Sequence, residues 1–345
     1  MRYCCFVADN QRTIYMTRIT GHFLQQMMTL FSKTLKLMVV STLFISWSWV
    51  QAEQPLVQTS CANETSVIEY WRNVRANAAT ANASELMPTL VNCLTSPNAE
   101  LRDRIGYEVL TYWMRKESLS PEDVSELRNI LVPWLSDGVG TSGNNSALTR
   151  AFSALVLSEV VRYDSLTPTM TSDQVDQLHS AALSMFTAER DYRGLTQEYG
   201  WIHTIAHGAD LIWRLAMHKG LSTAAQQQAI LNALTVQVAR ADLPAYTFNE
   251  FDRLARVAVA VISTELLTPK AIDDWVVKMG APHELENWNN AFASPSGMAQ
   301  LHNQKHFLRA LNAALDAAIT AEDSADKEVL NNVNLAVIAA LSKLP

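Results

Sequence analysis

The stretch Gly200–Trp213, GWIHTIAHGADLIW, holds histidines and an aspartate at helical spacing. His203 and His207 stand four apart, and Asp210 follows three later. On a helix turning 100° per residue, with His203 at zero, Asp210 falls at about −20°, Arg214 at about +20°, His207 at about +40° and His218 at about +60°. Ile205, Ala209, Ile212 and Trp213 take the opposite arc, so residues 200–219 read as an amphipathic helix with one ionisable stripe.

Three chemistries fit the stripe. Imidazoles at i and i+4 share a face, as in zinc proteases, and would hold a divalent metal such as zinc or manganese. Asp210 would then be a third ligand or would orient His207 from behind. Thr204 stands where a zincin carries its glutamate base, which excludes that class and leaves other metal-dependent hydrolysis, with Asp210 or Glu198 as ligand or base. The second chemistry is a grip on an anion or polar ligand, Arg193 and Arg214 pairing with a carboxylate or phosphate and the histidines donating hydrogen bonds. The third reading is a solvated charge row. Surface rows favour Lys and Glu, whereas His and Asp are weaker helix formers, which counts against it.

The preceding loop concentrates charge in Glu189, Arg190, Asp191, Arg193 and Glu198. Asp191 and Glu198 are candidate partners for its arginines, and such buried pairs set loop geometry more than stability. Arg150 opens an otherwise apolar helix, the wrong end for a cation, so it requires an acidic partner, Asp191 or Glu189. Just before it, DGVGTSGNNS (137–146) is the most flexible internal stretch. The candidate set is therefore Arg150, Asp191, Arg193, Glu198, Trp201, His203, His207, Asp210 and Arg214. These are expected to border one cleft with the glycine loop and to bind a polar ligand or peptide. The alternative is a purely structural cluster that locks helix against loop. Leu101-Arg102-Asp103-Arg104 reads as surface charge backed by Ile105, Val109, Tyr112 and Trp113. A second histidine pair, His302 and His306, lies on a polar stretch. Nucleophile elbows, phosphate-cradling loops and paired C-x-x-C motifs are missing from the sequence.

The elements that position these residues read as helix after helix, without a period-2 strand. Start signals recur at Asn63, Ser84, Ser96-Pro97, Ser120-Pro121, Ser172, Ser222, Thr247, Thr268-Pro269 and Pro295, and a last helix begins near Ala325. Ser120 with Asp123, and Thr247 with Glu250, have capping-box spacing. Alternate helices begin near 97, 147, 200, 247 and 295, so helix pairs repeat without a sequence consensus. The expected fold is all-α: antiparallel helical hairpins stacked as a HEAT-like α/α superhelix, or closed into an α/α toroid.

Composition agrees with a folded body: 345 residues, 48% apolar and 18% charged. Residues 1–52 are expected to lie outside it. Lys33 and Lys36 precede an apolar run, Leu37–Val50, and Val50-Gln51-Ala52 offers a signal-peptidase site. The run is too short for a bilayer span, so cleavage after Ala52 and export to the periplasm or medium are expected, with initiation at Met27 or Met28 and no lasting membrane insertion. The exported chain, 53–345, reads as one helical domain. It would keep 22 basic and 33 acidic side chains, a net charge of about −11 without a basic stripe, which disfavours nucleic acid. Cys61 and Cys93 flank successive helices of one hairpin and are expected to form a disulfide in an oxidising compartment.

Four stretches, LRDRIGYEVL (101–110), TRAFSALVL (149–157), ERDYRG (189–194) and GWIHTIAHGADLI (200–212), resemble the bacterial family catalogued as domain of unknown function 2785, most clearly over 101–221. That resemblance implies an all-helical fold and no established activity. It groups Arg150, Asp191, Arg193, Gly194, Gly200, Trp201, His203, His207 and Asp210 into one cluster. The expected signal peptide departs from many relatives and argues against a cytoplasmic role here.

Overall fold

The computed structural model describes residues 60–321 and 327–345. The expected signal peptide, its apolar run 37–50 and the cleavage after Ala52 lie outside the described residues.

The described chain is helical except for one short hairpin. The helices are α1 (Thr65–Ala76), α2 (Ala83–Leu90), α3 (Glu108–Arg115), α4 (Pro121–Trp134), α5 (Ser146–Leu166), α6 (Ser172–Ala188), α7 (Thr204–Ala216), α8 (Ala224–Ala239), α9 (Glu250–Ile262), α10 (Pro269–Met279), α11 (Pro295–Thr320) and α12 (Lys327–Leu341). Between α6 and α7, β1 (Leu195–Thr196) pairs antiparallel with β2 (Gly200–Trp201).

Most helix starts follow from local chemistry. Ser120 and Asp123 close the expected capping box around Pro121, and Thr171 with Gln174 and Thr223 with Gln226 form two more. Besides the one at Gly200, two starts differ from expectation. Ser96 stays extended, and the side chain of Asn98 instead accepts the Glu100 N–H at 2.8 Å, so the helix begins at Glu100. It runs as π-helix to Tyr107 before continuing as α3. The Thr247 capping box does not form. Asn249 is left-handed, with φ of 62°, and the Glu250 carboxylate turns back to accept the Phe248 N–H at 2.8 Å.

Alternate helices share a layer: α3, α5, α7, α9 and α11 pack side by side in that order. Behind them lie α6, α8, α10 and α12, also neighbour to neighbour. The helix-pair period read from the sequence is the spacing along the first layer. A core running from Val67 to Leu344 fills the space between layers, with Trp71, Trp113, Phe152, Phe186 and Phe307 fully buried. The Cys61–Cys93 disulfide ties the segment before α1 to the turn after α2, with Cα atoms 5.0 Å apart. Among the described residues no helix is long and apolar enough to cross a membrane.

Candidate functional site

The charged residues singled out in the sequence divide into two groups. The first is a buried lock. Arg150 and Glu189 have no exposed side-chain surface, and they meet through Nε–Oε2 and Nη2–Oε1 hydrogen bonds of 2.8 Å each. Of the two partners expected for Arg150, Glu189 is the one found. Arg150 also donates to the Asp137 carbonyl at 2.6 Å and to Ser146 Oγ at 3.0 Å, which fastens the glycine-rich loop to the start of α5. Asp191 extends the lock, accepting the Gly143 N–H at 2.9 Å and Arg193 Nη2 at 2.6 Å, while Arg193 reaches the Asn144 carbonyl at 2.8 Å. Burial alone would raise the Asp191 pKa. The Arg193 and Gly143 bonds outweigh it and hold that carboxyl below its usual range.

The hairpin that follows is held from elsewhere. Arg102 is fully buried, which corrects its reading as surface charge. Its Nη2 donates to the carbonyls of Tyr199 and Trp201, its Nη1 donates to Ser96 O at 2.7 Å, and the guanidinium lies 4.8 Å over the Phe152 ring. Gly194 passes so close to Phe248 that a Cβ there would lie 2.1 Å from its ring. Glu198 is exposed between β1 and β2. The expected continuous helix from Gly200 does not form: His203 is left-handed, with φ of 56°, and α7 starts after it. A non-glycine residue in that conformation is uncommon and bends the chain from hairpin into helix.

The second group lines a cleft of about 750 Å³ on the face of α3, α5, α7 and α9. Trp201, His203, His207, Asp210 and Arg214 border it, whereas Arg150, Asp191, Arg193 and Glu198 do not. His203 stacks on Trp201 at 4.9 Å and 28°, and its Nε2 lies 3.8 Å from Glu250 Oε1. His207 meets His203 at 5.9 Å and Phe152 edge-on at 5.1 Å. Asp210 is paired with Arg253 of α9, with Arg256 3.8 Å from its other oxygen. On the far side Arg115 pairs with Glu159 at 2.6 Å. Arg214 makes no ion pair among the described residues. Its guanidinium lies 4.1 Å from the centre of the Trp213 ring, and that of Arg256 lies 4.9 Å from the same ring.

Burial controls the protonation of this group. It lowers the pKa of His203, with Glu250 opposing, and pushes His207 well below the usual value, aided by the nearby charges of His203, Arg253 and Arg102. Both rings are therefore neutral near pH 7. Burial raises the pKa of Asp210 against the pull of Arg253, and that of Asp103 against Arg102.

The metal expectation for His203, His207 and Asp210 does not fit this geometry. The carboxylate of Asp210 is engaged by arginines, and among the described residues no group of three or more His, Cys, Asp or Glu side chains is placed to hold a metal ion.

A family described as a protein of unknown function, DUF2785, matches residues 135–312. The chain belongs to this family. No curated protein and no solved structure matches it. The DUF2785 match begins after LRDRIGYEVL and extends into α11, so it spans the lock and most of the cleft wall, apart from Asp103, Tyr107 and Arg115.

Several cleft residues of this DUF2785 chain were not among the sequence candidates: Asp103, Tyr107, Glu159, Trp213, Phe248 and the α9 group Asp252, Arg253 and Arg256. The α9 group had a signal. Asp252, Arg253 and Arg256 form a charged edge on a helix whose other positions, Leu254, Ala255, Val257, Ala258 and Val261, are buried. Nothing in one sequence places that edge opposite Asp210.

Proposed function

We propose that the cleft binds a polar small ligand through an anionic group held by Arg214 and Arg256. The supporting observation is the pair of guanidinium groups over Trp213. Like charges gathered at one indole inside a partly enclosed cleft are unfavourable unless an anion completes them. Asp210 offers Arg256 only a 3.8 Å contact, since Arg253 already occupies that carboxylate, and Arg214 feels Glu159 and Asp210 only at a distance, without an ion pair among the described residues. Two arginine forks are suited to a carboxylate or phosphate. His203 and Asn249, also on the wall, supply further polar contacts.

This reading retains the binding role expected from the sequence and moves it. Arg214 remains in the grip, and Arg256 replaces Arg193, which the lock consumes. The purely structural alternative accounts for Arg150, Glu189, Asp191 and Arg193. Export belongs to the same proposal, supported by the 33–52 sequence pattern and by the disulfide. The net acidic exported chain favours a small ligand over nucleic acid.

The test is calorimetric titration of the protein with citrate and with inorganic phosphate at low ionic strength. Binding of either, weakened at least tenfold in Arg214→Ala/Arg256→Ala at unchanged melting temperature, is the expected result. Failure of the parent protein to bind both, or equal binding by the variant, overturns the proposal. N-terminal sequencing of the protein recovered from outside the cytoplasm should begin at Glu53; a mature chain that retains 37–50 refutes cleavage.

A further inference from the structure

The rest of the cleft wall narrows the class of that ligand, resting on the anion-grip reading. The arginine pair is a small part of the lining. Asp103, Glu159, Asp210 and Asp252 face the same space as Arg115, Arg214, Arg253 and Arg256, so cations and carboxylates balance. A polyphosphate would crowd several negative charges together beside those acids, whereas a uronate oligomer spaces its carboxylates one per sugar ring. The Asp103 carboxylate accepts no hydrogen bond from the described residues, and Asp252 is exposed on the opposite wall. Together they offer acceptors for hydroxyl groups.

The second observation is aromatic. Trp201 keeps 40% of its surface exposed although His203 stacks against it and Phe248 meets it edge-on at 6.0 Å. It does not sit on a loose loop: the buried Arg102 grips the hairpin through the carbonyls of Tyr199 and Trp201. A large apolar ring held rigidly at a polar cleft is a platform for a ligand with an apolar face. The C–H face of a pyranose has that character, and its rim of hydroxyls matches the carboxylates around it.

We propose that the ligand is an acidic saccharide, a short oligomer of uronic-acid residues, one ring of which stacks on Trp201 near the start of α7 while the carboxylate of another reaches Arg214 and Arg256 near its end. The cleft volume of about 750 Å³ admits more than one sugar ring. Trp201 is then a specificity residue, and Arg102 positions it without touching the ligand.

Calorimetry of the full chain against a galacturonate trimer, maltotriose, a glutamate tripeptide and citrate tests this. The expected result is that the galacturonate trimer binds at least tenfold more tightly than the other three. Trp201→Ala should weaken the trimer at least tenfold and leave citrate within twofold; Trp201→Phe should recover most of the loss, which separates a stacking role from a folding defect. If citrate and the trimer bind alike and Trp201→Ala alters neither, the saccharide inference fails and the anion grip stands. A glutamate tripeptide that matches the trimer also overturns the saccharide. Maltotriose binding as tightly as the trimer, or no binding by any probe, overturns the grip together with the saccharide.

Discussion

Replacing Glu189 by alanine isolates the lock from the cleft. In the parent chain the Glu189 carboxylate accepts four hydrogen bonds: two at 2.8 Å from Arg150, one at 2.8 Å from the Arg190 N–H and one at 2.7 Å from the Asp191 N–H. With Glu189→Ala, Arg150 keeps the carbonyl of Asp137 and the hydroxyl of Ser146, but its charge is left uncompensated with no side-chain surface in contact with water. Breaking a buried pair by removing one partner costs about 3–5 kcal/mol. With about 2.1 cal/mol/K of unfolding entropy per residue, that lowers the melting temperature of a chain this long by roughly 4–8 °C. Urea unfolding should show a lower midpoint at an unchanged slope, as a pure stability loss requires. Arg150→Met/Glu189→Leu should be more stable than Glu189→Ala, because no buried charge remains, yet less stable than the parent, because the Arg190 and Asp191 N–H groups lose their acceptor. Citrate affinity per folded molecule should not move, since neither residue lines the cleft. A single-variant loss below about 1 kcal/mol, or a double variant less stable than the single, refutes the claim that the pair acts through buried charge.

Three further outcomes follow from the geometry. Reducing the Cys61–Cys93 bond, which closes a separation of 32 residues, should cost about 3–4 kcal/mol in urea unfolding; an unchanged midpoint would show that the unfolded chain does not feel the constraint. Both cleft histidines have pKa values lowered by burial, so the unfolded chain takes up protons first as pH drops below about 6.5. Their contribution to stability is complete above that pH and is lost below it, with a slope approaching about 1.4 kcal/mol per pH unit for each histidine until its folded-state pKa is passed. His207→Gln should remove one share of that slope between pH 6.5 and 5.5, and an identical slope would contradict the burial argument. Gly194→Ala should destabilise by about 1–3 kcal/mol and weaken binding of the galacturonate trimer, because its Cβ would displace the Phe248 ring that meets Trp201 edge-on; a variant unchanged in both measurements would refute that close approach.

The fold class was legible because helix starts are local chemistry. Ser120-Pro121-Glu122-Asp123 carries its cap, its first-turn proline and its returning carboxylate within four residues, and the structure uses all three. Where two local devices compete, the sequence misleads. Asn98 takes the start that Ser96-Pro97 advertised, and Glu250 caps from inside a helix that Thr247 was expected to open. The site was legible only as a cluster. The helical-wheel reading assumed helix from Gly200, and the left-handed turn at His203 breaks that assumption while keeping His203 beside His207. The split between lock and cleft was not legible, because Arg193 and Arg214 look equally available until Asp191 is seen to hold one of them. Nor could burial of Arg102 be read from a run of alternating charges; the two hairpin carbonyls it holds lie 97 and 99 residues away.

The lock and the cleft are consecutive parts of one chain segment. Glu189 and Asp191 pin the chain as it leaves α6, Gly194 passes under Phe248, Arg102 holds the hairpin, and His203 turns sharply into α7. Each contact removes a freedom that the next would otherwise have to absorb. Three buried or half-buried arginines are spent on backbone carbonyls and carboxylates whose net contribution to stability is small, because desolvation offsets much of the attraction. What they secure is position: Trp201 and His203 come to rest in one orientation beside α9, while Arg214 and Arg256, both against Trp213, are carried by α7 and α9 themselves. A ligand that meets a preformed Trp201 platform does not have to order it, and so loses less affinity to side-chain entropy. That is a physical reason for a single stretch, residues 189–214, to hold both the buried ion pairs and the open cleft wall.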